Sequence, residues 1–154
     1  MEISDLLSSN AVLANLKATS KKQALQELAK VAAEISDSDR QNIFDLLLER
    51  ERLGSTGVGH GVAIPHARLS GLERHYAVFA RLSDGVDFDA VDDGKVDLIF
   101  LLLAPEDAGA DHLKALALIS RRMRDQEFCN KLRGSESGDA VYALLTAVTA
   151  SHAA

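Results

Sequence analysis

The sequence predicts a single α/β domain, a mixed sandwich in which helices precede and follow a set of strands. Three observations predict it. Helical periodicity fills residues 20 to 48, strand patterning fills residues 62 to 103, and helical periodicity returns after residue 111. Helices and strands ordered this way pack as layers around one core. The length of 154 residues suits one such core. With 47% apolar and 26% charged residues, the composition excludes a disordered or collagen-like chain.

Each element has its own signal. Ser20-Lys21-Lys22-Gln23 is a capping-box pattern, and Leu25, Leu28, Ala32 and Ile35 recur at helical spacing, so residues near 20 to 35 form an amphipathic helix. Ser38-Asp39-Arg40-Gln41 repeats the capping signal. Ile43, Phe44, Leu47 and Leu48 supply the stripe of a second helix, which ends before Gly54. The glycine-rich segment Gly54-Ser55-Thr56-Gly57-Val58-Gly59-His60-Gly61 follows; its glycines permit tight turns and close backbone approach. Val62-Ala63-Ile64 is a short strand, and Pro65, which lacks an amide donor, is expected to take the chain out of the sheet. Residues 76 to 82 alternate as a strand, and residues 86 to 88 form another short one. Residues 96 to 103 are almost continuously apolar, the mark of a strand buried on both faces. Asp111 is a candidate cap for a helix holding Leu113, Leu116, Ile119, Ser120 and Met123. A last helix is expected from about 139 to 148, with a frayed tail at 150 to 154.

Several function classes are disfavoured. The longest apolar run, 98 to 105, is too short to span a bilayer, and the acidic start Met1-Glu2-Ile3-Ser4-Asp5 lacks the order of a signal peptide. A cytoplasmic protein without membrane insertion is expected. Cys129 is the single cysteine, which rules out an internal disulfide or a CxxC motif; it reads as a small core residue. The formal net charge of -6 argues against nucleic-acid binding, which needs a basic footprint.

The chemistry centres on Gly54 to Gly61 and on His66. The segment is neither a Walker A loop, since no Gly-Lys-Ser/Thr closes it, nor a Rossmann fingerprint. Its backbone amides can form an anion-binding nest, with Ser55 and Thr56 adding two hydroxyl donors; a plain turn fits the spacing equally well. His66 follows Pro65, whose fixed φ restricts where the ring can go. Neutral imidazole offers a nitrogen lone pair for reversible phosphoryl acceptance. Taken alone, such a histidine is a structural residue at a strand end. Arg50 and Arg52, at the end of the second helix, can hold phosphate oxygens or simply cap the helix C-terminus. His112, near a helix N-terminus, can present a second donor to an anion or stand exposed and uninvolved. Together these residues supply the parts that phosphoryl transfer requires.

The run Arg50-Glu51-Arg52-Leu53-Gly54-Ser55-Thr56-Gly57-Val58-Gly59-His60-Gly61-Val62-Ala63-Ile64-Pro65-His66-Ala67 closely resembles the signature of type-2 IIA components of the phosphoenolpyruvate:sugar phosphotransferase system, the mannitol/fructose/nitrogen-regulatory group. Val96-Asp97-Leu98-Ile99-Phe100-Leu101-Leu102-Leu103-Ala104-Pro105, followed by His112-Leu113, resembles the family's second block, and the resemblance extends from about Ile3 to Val148. It implies a mixed β-sheet flanked by helices on both sides. It implies that His66 is phosphorylated at Nε2, that His112 supports the phosphorylated ring, and that Arg50 clamps the phosphoryl group. It further implies that Ser55, Thr56 and Gly57 bind the phosphate. Ala67 stands where the family often has glycine.

The resemblance also implies a donor, an HPr-type phosphocarrier protein, and no cofactor or metal. A lone IIA unit with a segment such as Ile3-Ser4-Asp5-Leu6-Leu7 resembles the nitrogen-regulatory branch, which implies regulatory protein targets such as potassium transport or sensor proteins. A sugar-specific IIA component of a fructose or mannitol permease is the alternative. Two further readings compete: a metal-dependent hydrolase using His60, His66 and His112, and a binding module whose loop holds a small anion without covalent chemistry.

Overall fold

The computed structural model describes residues 1–147, so Val148 and the tail at 150 to 154 lie outside the described residues. Six strands form one mixed sheet: β1 (Val12–Leu16), β2 (Gly57–Gly59), β3 (Val62–Ala63), β4 (His66–Leu69), β5 (Tyr76–Asp87) and β6 (Lys95–Pro105). Among the described residues, five α-helices accompany them: α1 (Lys21–Ser36), α2 (Arg40–Arg52), α3 (Ala110–Met123), α4 (Gln126–Gly134) and α5 (Gly138–Thr146). The sheet runs β1-β5-β6-β3-β2, with β4 also on β6. β5 and β6 are antiparallel, with Phe79 opposite Phe100; β1 is parallel to β5, and β3 and β4 are parallel to β6.

β6 is the spine. Successive side chains on a strand face opposite ways, yet every residue from 98 to 103 is 0% exposed, so both faces of the sheet are covered. α1 and α2 pack on each other and on β5 and β4; α3 packs on α4 and β6; α5 packs on β1. No helix among the described residues is long and apolar enough to cross a membrane. Cys129 is buried in the core, as expected.

The helix starts follow side-chain chemistry with two corrections. Ser20 caps α1, its hydroxyl accepting from the Gln23 amide at 3.1 Å. At α2 the cap is Asp39, whose carboxylate accepts from the Asn42 amide, and not Ser38. Asp111 does not cap α3. Gly109 occupies that position at φ 57, and Asp111 sits in the first turn, where its charge favours the helix dipole.

The strands depart further from the sequence-based expectation. β1 was not anticipated: it is an edge strand, only partly buried, and Val-Leu-Ala-Asn-Leu carries no alternation. Residues 76 to 82 and 86 to 87 belong to one strand, β5, with an irregularity between Arg81 and Val86. α4 was also missed; its nine residues bury only Phe128, Cys129 and Leu132. The departure that matters most is β4. Pro65 breaks the strand but does not end it. Its carbonyl still accepts from the Leu102 amide at 3.0 Å, and the chain rejoins β6 with His66 opposite Leu102. Proline loses only the donor half of a ladder position, so β3 and β4 run along β6 as one interrupted strand.

Candidate active site

His66 opens β4 beside the C-terminal turn of α2, and helix α3 brings His112 across from it. The two rings lie 5.7 Å apart between centroids, tilted by 54°. They line an open cavity of about 650 Å³ together with Arg50, Arg68 and the apolar side chains of Leu46, Leu53, Leu113 and Leu116.

Both nitrogens of His66 are engaged. Nδ1 lies 3.0 Å from the Ile64 carbonyl oxygen. A carbonyl can only accept, so Nδ1 carries the proton. That leaves the lone pair on Nε2, where the Nε–H of Arg50 donates at 3.2 Å. A second Arg50 nitrogen, Nη1, donates to the Gly54 carbonyl at 2.9 Å. The guanidinium is thereby held at two points, as its planar fork allows. Burial holds the His66 pKa below its ordinary value; the Arg50 charge acts the same way, against the Ile64 carbonyl. The ring is neutral at pH 7, with a nucleophilic nitrogen facing a cation.

His112 is buried, at 5% exposure, so it is not an uninvolved surface residue. Burial drives its pKa down to about 4, with His66, Arg68 and His75 adding to the effect. Its Nδ1 is buried without a hydrogen-bond partner among the described residues. Beyond it lies His75, stacked at 6.4 Å and 17°, whose Nε2 is likewise unpartnered and whose pKa burial also lowers.

The structure does not bring Ser55, Thr56 and Gly57 into this cavity. Their donors are taken. Ser55 Oγ donates to the Phe88 carbonyl at 2.6 Å and accepts from the Gly57 amide at 3.0 Å. Thr56 is buried, and its hydroxyl and amide both donate to the Glu51 carboxylate. The expectation of two free hydroxyl donors is therefore corrected: the glycine-rich segment commits its polar groups mainly to Glu51, Phe88 and Asp92 and folds partly into β2. Gly57 is required there because a Cβ would lie 2.9 Å from that of Ala90. His60 is exposed and is not among the cavity residues; its ring meets Gln126, and it does not join His66 and His112. Arg52 is exposed.

Sequence reading missed Arg68 and His75. Arg68 stands two residues after His66, on the same face of β4. Its signal was the alternation of His66-Ala67-Arg68-Leu69, hidden once Pro65 was read as an exit. His75 sits on the turn before β5, where spacing carries no signal.

The arrangement presents a lone pair in a cavity carrying two guanidinium groups against one carboxylate, Glu49, a balance suited to a group that arrives bearing negative charge. Known proteins agree with this reading of the fold. The chain is 54% identical over 145 residues to a nitrogen regulatory protein of Bradyrhizobium diazoefficiens, covering 94% of this chain and 95% of that one. It is 40% identical over 124 residues to a fructose-specific EIIA component of Haloferax volcanii, covering 80% and 79%. The crystal structure of the nitrogen regulatory protein IIA-Ntr from Neisseria meningitidis superposes with a TM-score of 0.89 at 35% identity, covering 94% and 99% of the two chains. The family model for EIIA 2 of the phosphoenolpyruvate-dependent sugar phosphotransferase system matches residues 5–148. With that match spanning nearly the whole chain, the protein belongs to the EIIA 2 family of the phosphotransferase system.

Proposed function

We propose that this protein is a phosphocarrier of the nitrogen-related phosphotransferase system, with His66 as its phosphoryl acceptor. The observation that carries the reading is the engagement of both His66 nitrogens: Nδ1 donates to Ile64, and Nε2 faces Arg50 at 3.2 Å. An HPr-type phosphohistidine protein is the donor. The Nε2 lone pair attacks phosphorus as the donor's phosphorus–nitrogen bond breaks, and the Nδ1 proton stays on the ring. No metal or nucleotide enters this step. Arg50 moves from the ring nitrogen to the phosphoryl oxygens, and His112 and Arg68 offset the remaining charge, which approaches two units for a phosphoryl group. Ser55, Thr56 and Gly57 serve by shaping the loop that holds Arg50 rather than by touching phosphate.

The protein is a stoichiometric carrier acting in the cytoplasm. The 54% identity to a nitrogen regulatory protein favours the regulatory branch, with protein targets such as potassium transport or sensor proteins. The 40% identity to a fructose-specific component supports the second reading, a sugar-specific IIA. Incubation with phosphoenolpyruvate and the cascade proteins is expected to add one acid-labile phosphoryl group. A His66→Ala protein that still takes up label would overturn the assignment.

A further inference from the structure

Glu51 is a buried carboxylate that the chemistry above does not use. Its side chain is 4% exposed, and Lys21 of α1 neutralises it at 2.9 Å. It follows Arg50 directly, yet it turns away from the cavity and grips Thr56 at two points. Oε1 accepts from the Thr56 amide at 3.0 Å, and Oε2 accepts from the Thr56 hydroxyl at 2.6 Å. The contacts continue. The Thr56 carbonyl accepts from the Ile64 amide at 3.0 Å, and the Ile64 carbonyl accepts from His66 Nδ1 at 3.0 Å. Four residues thus form an unbroken chain from a fixed charge to the nitrogen that sets the tautomer of His66.

We propose that Glu51 is a positioning residue that, through Thr56 and Ile64, holds His66 in the tautomer with its proton on Nδ1 and its lone pair on Nε2. The role rests on His66 being the phosphoryl acceptor. A neutral imidazole has two tautomers, and the hydrogen bond made by one nitrogen decides which is present. The Ile64 carbonyl enforces the reactive form only while it stays aimed at Nδ1. Its aim depends on the Ile64 amide seated on Thr56, and Thr56 is fixed by Glu51. Consecutive residues of α2 therefore act on opposite nitrogens of one ring: Arg50 directly on Nε2, Glu51 at a distance on Nδ1. This accounts for a buried carboxylate that would otherwise cost stability unless fully paired.

The test reads the ring and the chemistry separately. Long-range ¹H–¹⁵N NMR of the histidine rings reports the His66 tautomer in unphosphorylated protein. Labelling by phosphoramidate, a small donor that needs no partner protein, reports reactivity at His66. Glu51→Ala is expected to give mixed His66 tautomers and about tenfold slower labelling. Thr56→Val, which removes only the hydroxyl contact, shifts both in the same direction by less. Glu51→Gln, which keeps an oxygen for the Thr56 amide, restores most of the tautomer preference. A folded Glu51→Ala protein with wild-type His66 ring signals overturns the proposal, even if labelling slows, because that result leaves Glu51 as a loop anchor only. If Glu51→Ala does not fold, Thr56→Val decides: unchanged ring signals overturn the proposal there too. Wild-type protein that takes no label at His66 sinks the phosphocarrier reading while the ring signals still judge the role of Glu51.

Discussion

His66 and His112 face each other across one cavity, but His66 has both ring nitrogens engaged while His112 carries a buried nitrogen with no partner. The difference lies in what each ring packs against. His66 sits where β3 and β4 meet the end of α2, so the Ile64 carbonyl and Arg50 each reach one of its nitrogens. His112 sits in the first turn of α3, against Arg68 and His75, with no hydrogen-bond partner for Nδ1 among the described residues. One side of the cavity is set before any reaction begins. The other holds an unmet polar group, which costs on the order of 1–3 kcal/mol, as expected of a site that keeps function ahead of stability.

Breaking the engaged side has the largest expected effect. Arg50→Ala is expected to slow labelling of His66 about 100-fold, the usual scale for losing one charge-stabilising donor. Time courses of acid-labile label would measure it, and a loss under about threefold would mean that the clamp is dispensable.

Protonating the other side comes next. The folded-state pKa values of His66 and His112 lie below 6.5, that of His112 at about 4. Between these pH values the unfolded chain binds more protons than the folded one, so stability falls as pH drops through that window and is complete above it. Urea unfolding is expected to register a loss on the order of 2 kcal/mol from pH 7 to pH 4. A flat profile would mean that the rings are not kept neutral by burial.

Replacing the ring sharpens the contrast. His112→Leu removes the unpartnered nitrogen and is expected to raise stability at pH 7 by about 1 kcal/mol while slowing labelling about tenfold. The pH slope should shrink with it. A destabilised protein would show that Nδ1 is satisfied after all. The smallest effect on chemistry is expected at Ser55. Ser55→Ala loses two internal hydrogen bonds and is expected to cost about 1 kcal/mol with labelling changed less than twofold. A large drop in labelling, with stability intact, would return the hydroxyl to the phosphate.

The same contrast governs what was legible in the sequence. Periodicity and composition report burial, so α1, α2 and β6 could be read directly. Ser20 announced its helix because a short hydroxyl side chain acts locally, within three residues. β1 and α4 left little trace because tertiary packing, not their own pattern, maintains them. At the site, His66, Arg50 and His112 stood out through the family resemblance, each being open to a structural reading by itself, and the cavity does bring them together. Ser55 and Thr56 stood out equally, but a hydroxyl's partner is chosen in three dimensions: Phe88 lies 33 residues from Ser55. Arg68 was hidden by a single misjudged proline, and the unmet nitrogens of His75 and His112 are properties of packing alone.

The interrupted strand makes the ladder on β6 a ruler for the reactive atom. His66 pairs with Leu102, and Ala67, next along, turns into the core. A slip of one residue would exchange their faces, burying the imidazole and offering the cavity a methyl group. Between the paired stretches, Ile64 turns its amide to Thr56 and its carbonyl to His66, while Pro65 keeps its carbonyl on the Leu102 amide. Pairing at both flanks then acts as a detent, so a change in the glycine-rich segment alters how the ring is gripped before it alters which residue is gripped.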